Sequence, residues 1–129
     1  MSGPETWRIL IVEDETDTAQ VVSTILEHHD VEVHHAADGT ECLEKLSALQ
    51  PTLVIMDLAM PQLNGWGTLI EIRANPDTAH IPVVALTAYH SMQVARDAAA
   101  AGFDGFFMKP VSAGSFVTDL GDLLARLGQ

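Results

Sequence analysis

A short apolar run that ends in an acid constrains the fold of this chain more than any other feature. Leu53 to Met56 are consecutive apolar residues, and Asp57 follows them directly. An apolar run of this length is typical of a strand that is buried on both faces, as in a parallel sheet. In open α/β sheets, ligands bind at the carboxyl ends of the strands. Asp57 is therefore a candidate functional residue at that edge.

Strand patterns and helix patterns alternate five times along the chain. Apolar strands are predicted at 8–12, 31–36, 53–56, 81–86 and 105–108. The apolar stripes of the intervening helices are expected to include Val21 and Ile70, and Gly102 is expected to end the fourth helix. The predicted N-caps of the last four helices are Asp38, Asn64, Ser91 and Ser112. This alternation indicates a parallel sheet with helices on both faces.

Polar residues follow the predicted strands at the points where the strands end. Right-handed crossovers place every carboxyl end of a parallel sheet on one edge, so residues far apart in sequence meet there. The residues at these ends are Glu13 and Asp14 after the first strand, Asp57 after the third, Thr87 after the fourth and Lys109 after the fifth. We expect these side chains to share one pocket.

The chemistry of this predicted pocket is that of an acidic metal site. Three carboxylates in one cleft repel each other when water is partly excluded, and Lys109 offsets only part of that charge. A divalent cation would offset the rest, and an all-oxygen ligand set suits Mg²⁺ or Mn²⁺. Together with a hydroxyl and a candidate nucleophile in Asp57, the set suits phosphoryl transfer onto a carboxylate.

Charge and composition exclude several other classes of protein. The chain has 129 residues, the size of one domain, and a formal net charge of −12 with six Lys plus Arg residues. Such a chain repels nucleic acid and anionic membranes, so we expect protein partners. No apolar run could span a bilayer, no signal-peptide pattern begins the chain, and Cys42 is the only cysteine. These observations predict a cytoplasmic protein without an intramolecular disulfide.

Taken together, these segments resemble the receiver domain of bacterial two-component response regulators over residues 8–127. The matching segments are 9–15, 56–65, 86–88 and 109–110. The resemblance implies a flavodoxin-like, doubly wound (βα)5 three-layer sandwich with strand order 2-1-3-4-5. It also divides the chain into an N-terminal polar arm at 1–7 and a receiver domain at 8–129. The stretch from Ala79 to Tyr89 looks most like stand-alone, chemotaxis-regulator-like receivers and receivers fused to cyclic-dinucleotide-signalling enzymes.

The resemblance implies a phosphoacceptor and a metal site. Asp57 would accept a phosphoryl group from a sensor histidine kinase or a histidine phosphotransfer protein. Asp14, Asp57 and the backbone carbonyl of Ala59 would hold Mg²⁺, and Glu13 would assist through water. The family also often has a cis peptide bond at the position of Lys109-Pro110.

The resemblance also implies residues that read and tune the phosphorylated state. Lys109 and Thr87 would contact the phosphoryl oxygens, and Thr87 and Phe106 would act as the switch that changes a partner-binding surface. Ala59 and Tyr89 lie where the family tunes dephosphorylation. This sequence departs from the commoner pattern by having Glu13 in place of Asp and Phe106 in place of Tyr.

Three other functions fit the sequence less well. A hydrolase of the haloacid-dehalogenase type needs an Asp-x-Asp after the first strand, where this chain has Glu13-Asp14-Glu15-Thr16-Asp17. A nucleotide- or flavin-binding domain needs a Gly-rich loop at the same place, and acids occupy it. A receiver-like scaffold that no longer takes phosphate would have lost key residues, and all are present. Glu15 and Asp17 are interpreted as acids that favour a helix start.

The favoured interpretation is a signalling module rather than a metabolic enzyme. Its catalysis would be limited to accepting a phosphoryl group and losing it slowly. No linker or output domain follows the last helix, so the expectation is a stand-alone receiver or a phosphorelay intermediate. The sequence leaves open the cognate kinase, the downstream protein target and whether the module dimerises when phosphorylated.

Overall fold

The computed structural model describes residues 3–58, 64–88 and 91–128. The strands are β1 (Arg8–Val12), β2 (Glu32–Ala36), β3 (Leu53–Asp57), β4 (Val83–Thr87) and β5 (Gly105–Met108). The helices are α1 (Thr16–Glu27), α2 (Gly39–Leu49), α3 (Gly65–Ala74), α4 (Met92–Ala101) and α5 (Phe116–Arg126). All strand pairs are parallel and the order is β2-β1-β3-β4-β5, which confirms the predicted fold. Within the described ranges, no helix has the length and apolar character that a membrane span requires.

The sheet separates two hydrophobic layers. Successive strand residues point to opposite faces, so Leu10 and Ile11 of β1 belong to different layers. One layer contains buried residues of α2, α3 and α4, and the other contains buried residues of α1 and α5. Because β1, β3 and β4 are covered on both faces, their residues are almost entirely buried, apart from Arg8. Each fully buried Leu or Ile contributes about 1.5–3 kcal/mol, which makes these strands the most strongly held part of the molecule.

Two of the predicted apolar stripes are wrong in one position each. Val21 of α1 is 51% exposed and Ile70 of α3 is 66% exposed. The buried residues of α1 are Ala19, Val22 and Leu26, which recur at helical spacing and leave Val21 beside the contact face. Ile70 is likewise displaced from the face of α3 that meets the sheet. An apolar side chain next to a stripe is therefore not always part of it.

Three of the four predicted N-caps are confirmed, and one is wrong. Side-chain oxygens of three residues accept a hydrogen bond from a backbone N–H in the first helical turn; they are Asp38, Asn64 and Ser91. Ser112 does not cap α5, which begins at Phe116. The backbone carbonyl of Ser112 instead accepts hydrogen bonds from the N–H groups of Ser115 and Phe116. Gly102 ends α4 as predicted, with a left-handed φ of 110°.

The predicted polar arm at 1–7 ends before Trp7. This side chain is 6% exposed and packs in the layer formed by α1 and α5, beside Gly121. A 3-10 turn at Pro4–Thr6 precedes it, and its carbonyl accepts a hydrogen bond from the N–H of Glu32. Trp7 is therefore part of the hydrophobic core and not of a solvated arm.

Arg73 stabilises the edge of the sheet at the amino ends of β4 and β5. This edge lies opposite to the carboxyl ends, where the acidic residues are. Its guanidinium donates to the carbonyls of Ala79 and Ile81 at 2.9 and 2.7 Å and to that of Gly102 at 3.1 Å. It also forms a 3.0 Å ion pair with Asp104, whose carboxylate accepts from the N–H of Val83. Since both charged side chains are about three quarters buried, they are weakly screened by solvent. One side chain thus joins α3 to the loops that precede β4 and β5.

Replacing Arg73 by alanine is expected to lower the free energy of unfolding by about 2–4 kcal/mol, because three carbonyls and Asp104 lose their donor. The measurement is urea-induced unfolding, with circular dichroism as the signal. Arg96→Ala removes the same charge from an exposed position of α4 and should change stability by less than about 0.5 kcal/mol. Equal effects of the two substitutions would contradict the role assigned to Arg73.

Candidate functional site

The carboxyl ends of the central strands meet at one edge of the sheet, as the topology requires. Asp57 is the last residue of β3 and pairs with Leu86, and Thr87 is the last residue of β4. Lys109 follows β5 directly, and its backbone N–H donates to the carbonyl of Thr87 at 2.8 Å. The ladder of hydrogen bonds therefore fixes the backbone positions from which these three side chains extend.

Three carboxylates form a compact acidic cluster at this edge. Glu13, Asp14 and Asp57 each place one oxygen within 4.8 Å of the others. Glu13 is fully buried and Asp57 is 3% exposed, whereas Asp14 lies open to solvent. Burial raises the pKa of Glu13 to about 7, the hydrogen bond from Lys109 opposes this rise, and the charge of Asp57 adds to it. The site therefore holds more negative charge than its protein surroundings neutralise.

Lys109 is the cation of the cluster. Its Nζ lies 2.9 Å from Oε2 of Glu13 and 3.6 Å from Oδ2 of Asp57, and its side chain is 14% exposed. Burial lowers the pKa of Lys109, but the hydrogen bond with Glu13 and the charge of Asp57 outweigh it, so the net shift is upward. The lysine therefore stays protonated at neutral pH.

Glu15 is a further acid of the site that sequence reasoning assigned to a helix start only. It precedes α1, but its side chain caps no N–H of that helix. Its Oε1 lies 3.4 Å from Nζ of Lys109, and its backbone N–H donates to Oε1 of Glu13 at 3.2 Å. The signal in the sequence was the run of acids at 13–15. Asp17 lies in the first turn of α1, as that interpretation requires.

The donor set of the cluster fits a hard divalent cation. Glu13, Asp14 and Asp57 each bring a carboxylate oxygen to within 4.8 Å of the others, and Lys109, whose Nζ lies 2.9 Å from Oε2 of Glu13, offsets only one of their charges. The remaining carboxylate charge in this partly desolvated cluster is costly unless a second cation balances it. Carboxylate oxygens are the ligands that Mg²⁺ and Mn²⁺ prefer. The residues present therefore fit the predicted metal.

The raised pKa of Glu13 predicts a pH-dependent loss of stability in the metal-free protein. An unfolded Glu titrates near 4.5 and the folded one near 7, so between these values the folded state holds the extra proton. Stability therefore falls as pH rises through this window. Glu13→Gln does not titrate, and should be more stable than the wild type above pH 7 by on the order of 1–3 kcal/mol.

The measurement is urea unfolding between pH 5 and pH 8 in the presence of a chelator. Glu71→Gln, which removes a carboxylate from the exposed face of α3, is the matched control and should leave the pH dependence as in the wild type. A wild type whose stability rises across this window would contradict the prediction.

The two residues expected to act as a switch lie on neighbouring strands. Thr87 is 2% exposed at the end of β4. Phe106 lies in β5, pairs with Ala85, and packs half-buried against the layer of α2, α3 and α4. Ala59 and Tyr89, the positions expected to tune dephosphorylation, lie outside the described residues. The peptide bond between Lys109 and Pro110 is cis, which confirms that expectation.

Comparisons with known protein sequences identify one family. The family model described as response regulator receiver domain matches residues 9–120. A probable transcriptional regulator, ycf27 of Cyanophora paradoxa, is 34% identical over 119 residues, which cover 92% of this chain and 48% of that protein. The DNA-binding dual master transcriptional regulator RpaA of Synechocystis is 32% identical over 120 residues, which cover 93% of this chain and 47% of that protein. The chain spans about half the length of these relatives.

Solved structures similar to this chain are receiver proteins as well. A putative response regulator from Chloroflexus aurantiacus superposes with a TM-score of 0.87 at 28% identity, covering 93% of this chain and 98% of that one. The chemotaxis protein CheY4 of Vibrio cholerae gives a TM-score of 0.84 at 27% identity, covering 91% and 98%. The similarity therefore extends over nearly the whole of both solved chains.

Proposed function

Since the chain belongs to the response regulator receiver family, whose general function is to accept a phosphoryl group in two-component signalling, we propose that Asp57 is its phosphoacceptor. A carboxylate oxygen of Asp57 forms the new bond to phosphorus while the bond to the imidazole nitrogen of the donor breaks. The donor is a sensor histidine kinase or a histidine phosphotransfer protein, because a phosphohistidine can pass its group to a carboxylate. An acyl phosphate on Asp57 results.

The main support for this proposal is the arrangement of charged side chains around Asp57. A buried carboxylate, Asp57, lies 3.6 Å from a largely buried lysine and within 4.8 Å of two further carboxylates at the ligand-binding edge of the sheet. A structural ion pair needs only one acid, whereas this cluster has an excess of acids. The excess is explained if the site is completed by a cation and a phosphoryl group.

The neighbouring side chains have roles that follow from their charge and position. Lys109 stays protonated and is suited to pair with the phosphoryl oxygens. Thr87, which lies at the end of the adjacent strand, would donate its hydroxyl to the same group. Phe106 would then change its packing as Thr87 moves, and Ala59 and Tyr89 would set the lifetime of the acyl phosphate. These assignments rest on the strand positions and on the family.

We propose that Asp14 and Asp57, with the backbone carbonyl of Ala59, hold Mg²⁺ or Mn²⁺, and that Glu13 assists through water. When bound, this ion neutralises charge on the phosphoryl oxygens during transfer. Glu13 belongs to the same cluster of carboxylates as Asp14 and Asp57, which supports its participation.

The wider assignments are also proposals. Residues 8–129 would form one receiver domain that works in the cytoplasm, and its catalysis would not extend beyond accepting and slowly losing the phosphoryl group. Its partners would be proteins, since the net charge of −12 repels nucleic acid and anionic membrane. Dimerisation on phosphorylation remains an outcome to test by sedimentation.

The experiment is incubation with Mg²⁺ and acetyl phosphate, followed by intact-mass spectrometry. One phosphoryl adduct is expected in the wild type, and none in Asp57→Asn or in a chelator-treated sample. Asp77→Asn removes an exposed carboxylate of the loop after α3 and should keep the adduct.

A fast self-dephosphorylating protein would leave no adduct, so a second measurement is needed. Beryllofluoride with Mg²⁺ should change the fluorescence of Trp66, whose ring lies edge-to-face on Phe103 at 5.6 Å in the layer that Phe106 also contacts. A folded protein that shows neither a phosphoryl adduct nor a fluorescence change with beryllofluoride would reject the phosphoacceptor function and favour the scaffold alternative.

A further inference from the structure

His35 lies outside the acidic cluster but contacts the acidic loop, residues 13–15, which carries two of its carboxylates. Its Nε2 lies 2.8 Å from the backbone carbonyl oxygen of Glu13. A carbonyl oxygen can only accept a hydrogen bond, so Nε2 carries the hydrogen and the imidazole is the donor. The bond joins β2 to the segment between β1 and α1. His35 therefore acts on the acidic loop through the backbone of that loop.

The direction of the His35 ring follows from the geometry of β2. Successive residues of a strand point to opposite faces of the sheet. His34 pairs with Leu10, and its Nε2 lies 2.7 Å from Oε2 of Glu32 on the same face. His35 pairs with Ile11, whose side chain belongs to the layer of α1 and α5, so the His35 ring lies on the side of the sheet that α1 covers. Of the two adjacent histidines, His35 is therefore the one that contacts the acidic loop.

The hydrogen bond from His35 fixes one peptide group at the start of the acidic loop. The backbone N–H of Glu13 donates to the carbonyl of Ala36 at 3.1 Å, which continues the pairing of β1 with β2 beyond Val12. Since α1 begins at Thr16, the Glu13–Asp14 peptide lies between the end of this ladder and the helix. A peptide group is planar, so holding its carbonyl oxygen restricts rotation about the bonds to both flanking Cα atoms. These two Cα atoms carry the carboxylates of Glu13 and Asp14.

The two carboxylates depend on this restraint to different extents. The side chain of Glu13 is fully buried, lies 2.9 Å from Nζ of Lys109 and accepts a hydrogen bond from the N–H of Glu15 at 3.2 Å. Asp14 is exposed, so packing restricts its side chain much less. A metal ligand has to be held close to its productive geometry, and hydrogen bonds from surrounding residues supply that support. The orientation of the Glu13–Asp14 peptide is therefore most important for Asp14.

We infer that His35 is a positioning residue of the metal site, because its hydrogen bond to the Glu13 carbonyl holds Asp14 in a direction suited to a divalent cation. The inference rests on the proposed function, since it takes Asp14 to be a metal ligand. Removing a hydrogen bond that orients a ligand typically lowers metal affinity by about 10–100-fold. His35 is exposed and acts through a backbone group, so its loss should cost about tenfold, the lower end of this range.

The experiment titrates Mn²⁺ into the full chain and measures the free ion by electron paramagnetic resonance. His35→Ala should weaken the binding of Mn²⁺ about tenfold. His35→Gln keeps an N–H donor at the same number of bonds from Cα, so its affinity should stay within about twofold of that of the wild type. The matched control is His34→Ala, which removes the neighbouring histidine and its contact with Glu32 on the opposite face, and should bind Mn²⁺ as the wild type does.

Two further measurements distinguish positioning from general stabilisation. In heteronuclear NMR of the metal-free protein, the amide signals of Asp14 and Glu15 should shift in His35→Ala and return toward their wild-type positions in His35→Gln. Saturating Mg²⁺ should restore the rate of adduct formation in His35→Ala to near that of the wild type, because a loss of ion affinity is overcome by concentration. Urea unfolding checks that all the variants are folded.

Several results would overturn the inference: no binding of Mn²⁺ by the wild type, an unchanged affinity in His35→Ala, an equal loss in His34→Ala, or no recovery in His35→Gln. The adduct measurement on the wild type separates this inference from the proposed function. An adduct together with an unchanged Mn²⁺ affinity in His35→Ala rejects the positioning role and keeps the phosphoacceptor. An Mn²⁺ affinity that depends on His35, without an adduct or a beryllofluoride response, keeps the positioning role and rejects the phosphoacceptor.

Discussion

Lys109→Gln is expected to lower the free energy of unfolding of the metal-free protein by about 2–5 kcal/mol at pH 8, because two buried carboxylates then lose their cation. At pH 5 the loss should be smaller, since Glu13, with a pKa of about 7, is then protonated in the folded state. Mg²⁺ should restore part of the lost stability by replacing the missing positive charge. Formation of the phosphoryl adduct should slow by about 100-fold, which is the usual cost of removing one stabilising donor from a reacting group.

The control for this substitution is Lys45→Gln. Lys45 forms a 2.8 Å ion pair with Glu41 on the surface of α2, four residues away, and its side chain is 44% exposed. Surface pairs of this kind contribute less than about 1 kcal/mol, so stability and adduct formation should remain near those of the wild type. Stability and adduct rates that are the same in the two variants would show that Lys109 is an ordinary surface lysine.

Gly65→Ala is the second substitution with a large expected effect. A Cβ at Gly65, the first residue of α3, would collide with the backbone carbonyl oxygen of Asp57 and lie 2.9 Å from Cα of Leu58. Backbone atoms cannot move aside as a side chain does, so the substitution should cost about 1–3 kcal/mol of stability. The displaced atoms belong to the proposed phosphoacceptor, so adduct formation should slow by at least about tenfold.

The control is Gly121→Ala in α5. A Cβ there would meet the ring of Trp7 at 3.6 Å, an ordinary van der Waals distance, and alanine favours the helix. This variant should therefore be more stable than the wild type by about 0.5–1 kcal/mol, with unchanged adduct formation. A Gly65→Ala protein that matches the wild type in stability and rate would contradict the close packing of α3 on β3.

The sheet and the edge that carries the site could be predicted because the sequence contains two signals for each central strand. A continuous apolar run identifies β3 and β4, and a polar residue directly after the run, such as Asp57 or Thr87, identifies the carboxyl end. Parallel topology then brings distant residues together without any knowledge of side-chain packing. Glu13, Asp14, Asp57 and Lys109 could be grouped in this way.

Features that depend on packing between elements could not be predicted. The contact of Glu15 with Lys109 depends on the direction of one side chain, and the sequence marks only a helix start. Arg73 and Asp104 form an ion pair, but no helical or strand repeat in the sequence relates these two positions. The need for glycine at position 65 follows from the close approach of α3 to β3, which is a property of the assembled layers.

The slight burial of α4 has a consequence for local opening. Ala98 is the one residue of Met92–Ala101 that is buried, and Gly102 and Arg73 hold only the C-terminal end of this helix. A helix held by so little apolar contact opens at a free energy well below that of global unfolding. Its amide hydrogens should exchange with solvent sooner than those of α3 or α5, and more slowly toward Ala101 than toward Met92. Among the five described helices, α4 is therefore the one that is most easily remodelled.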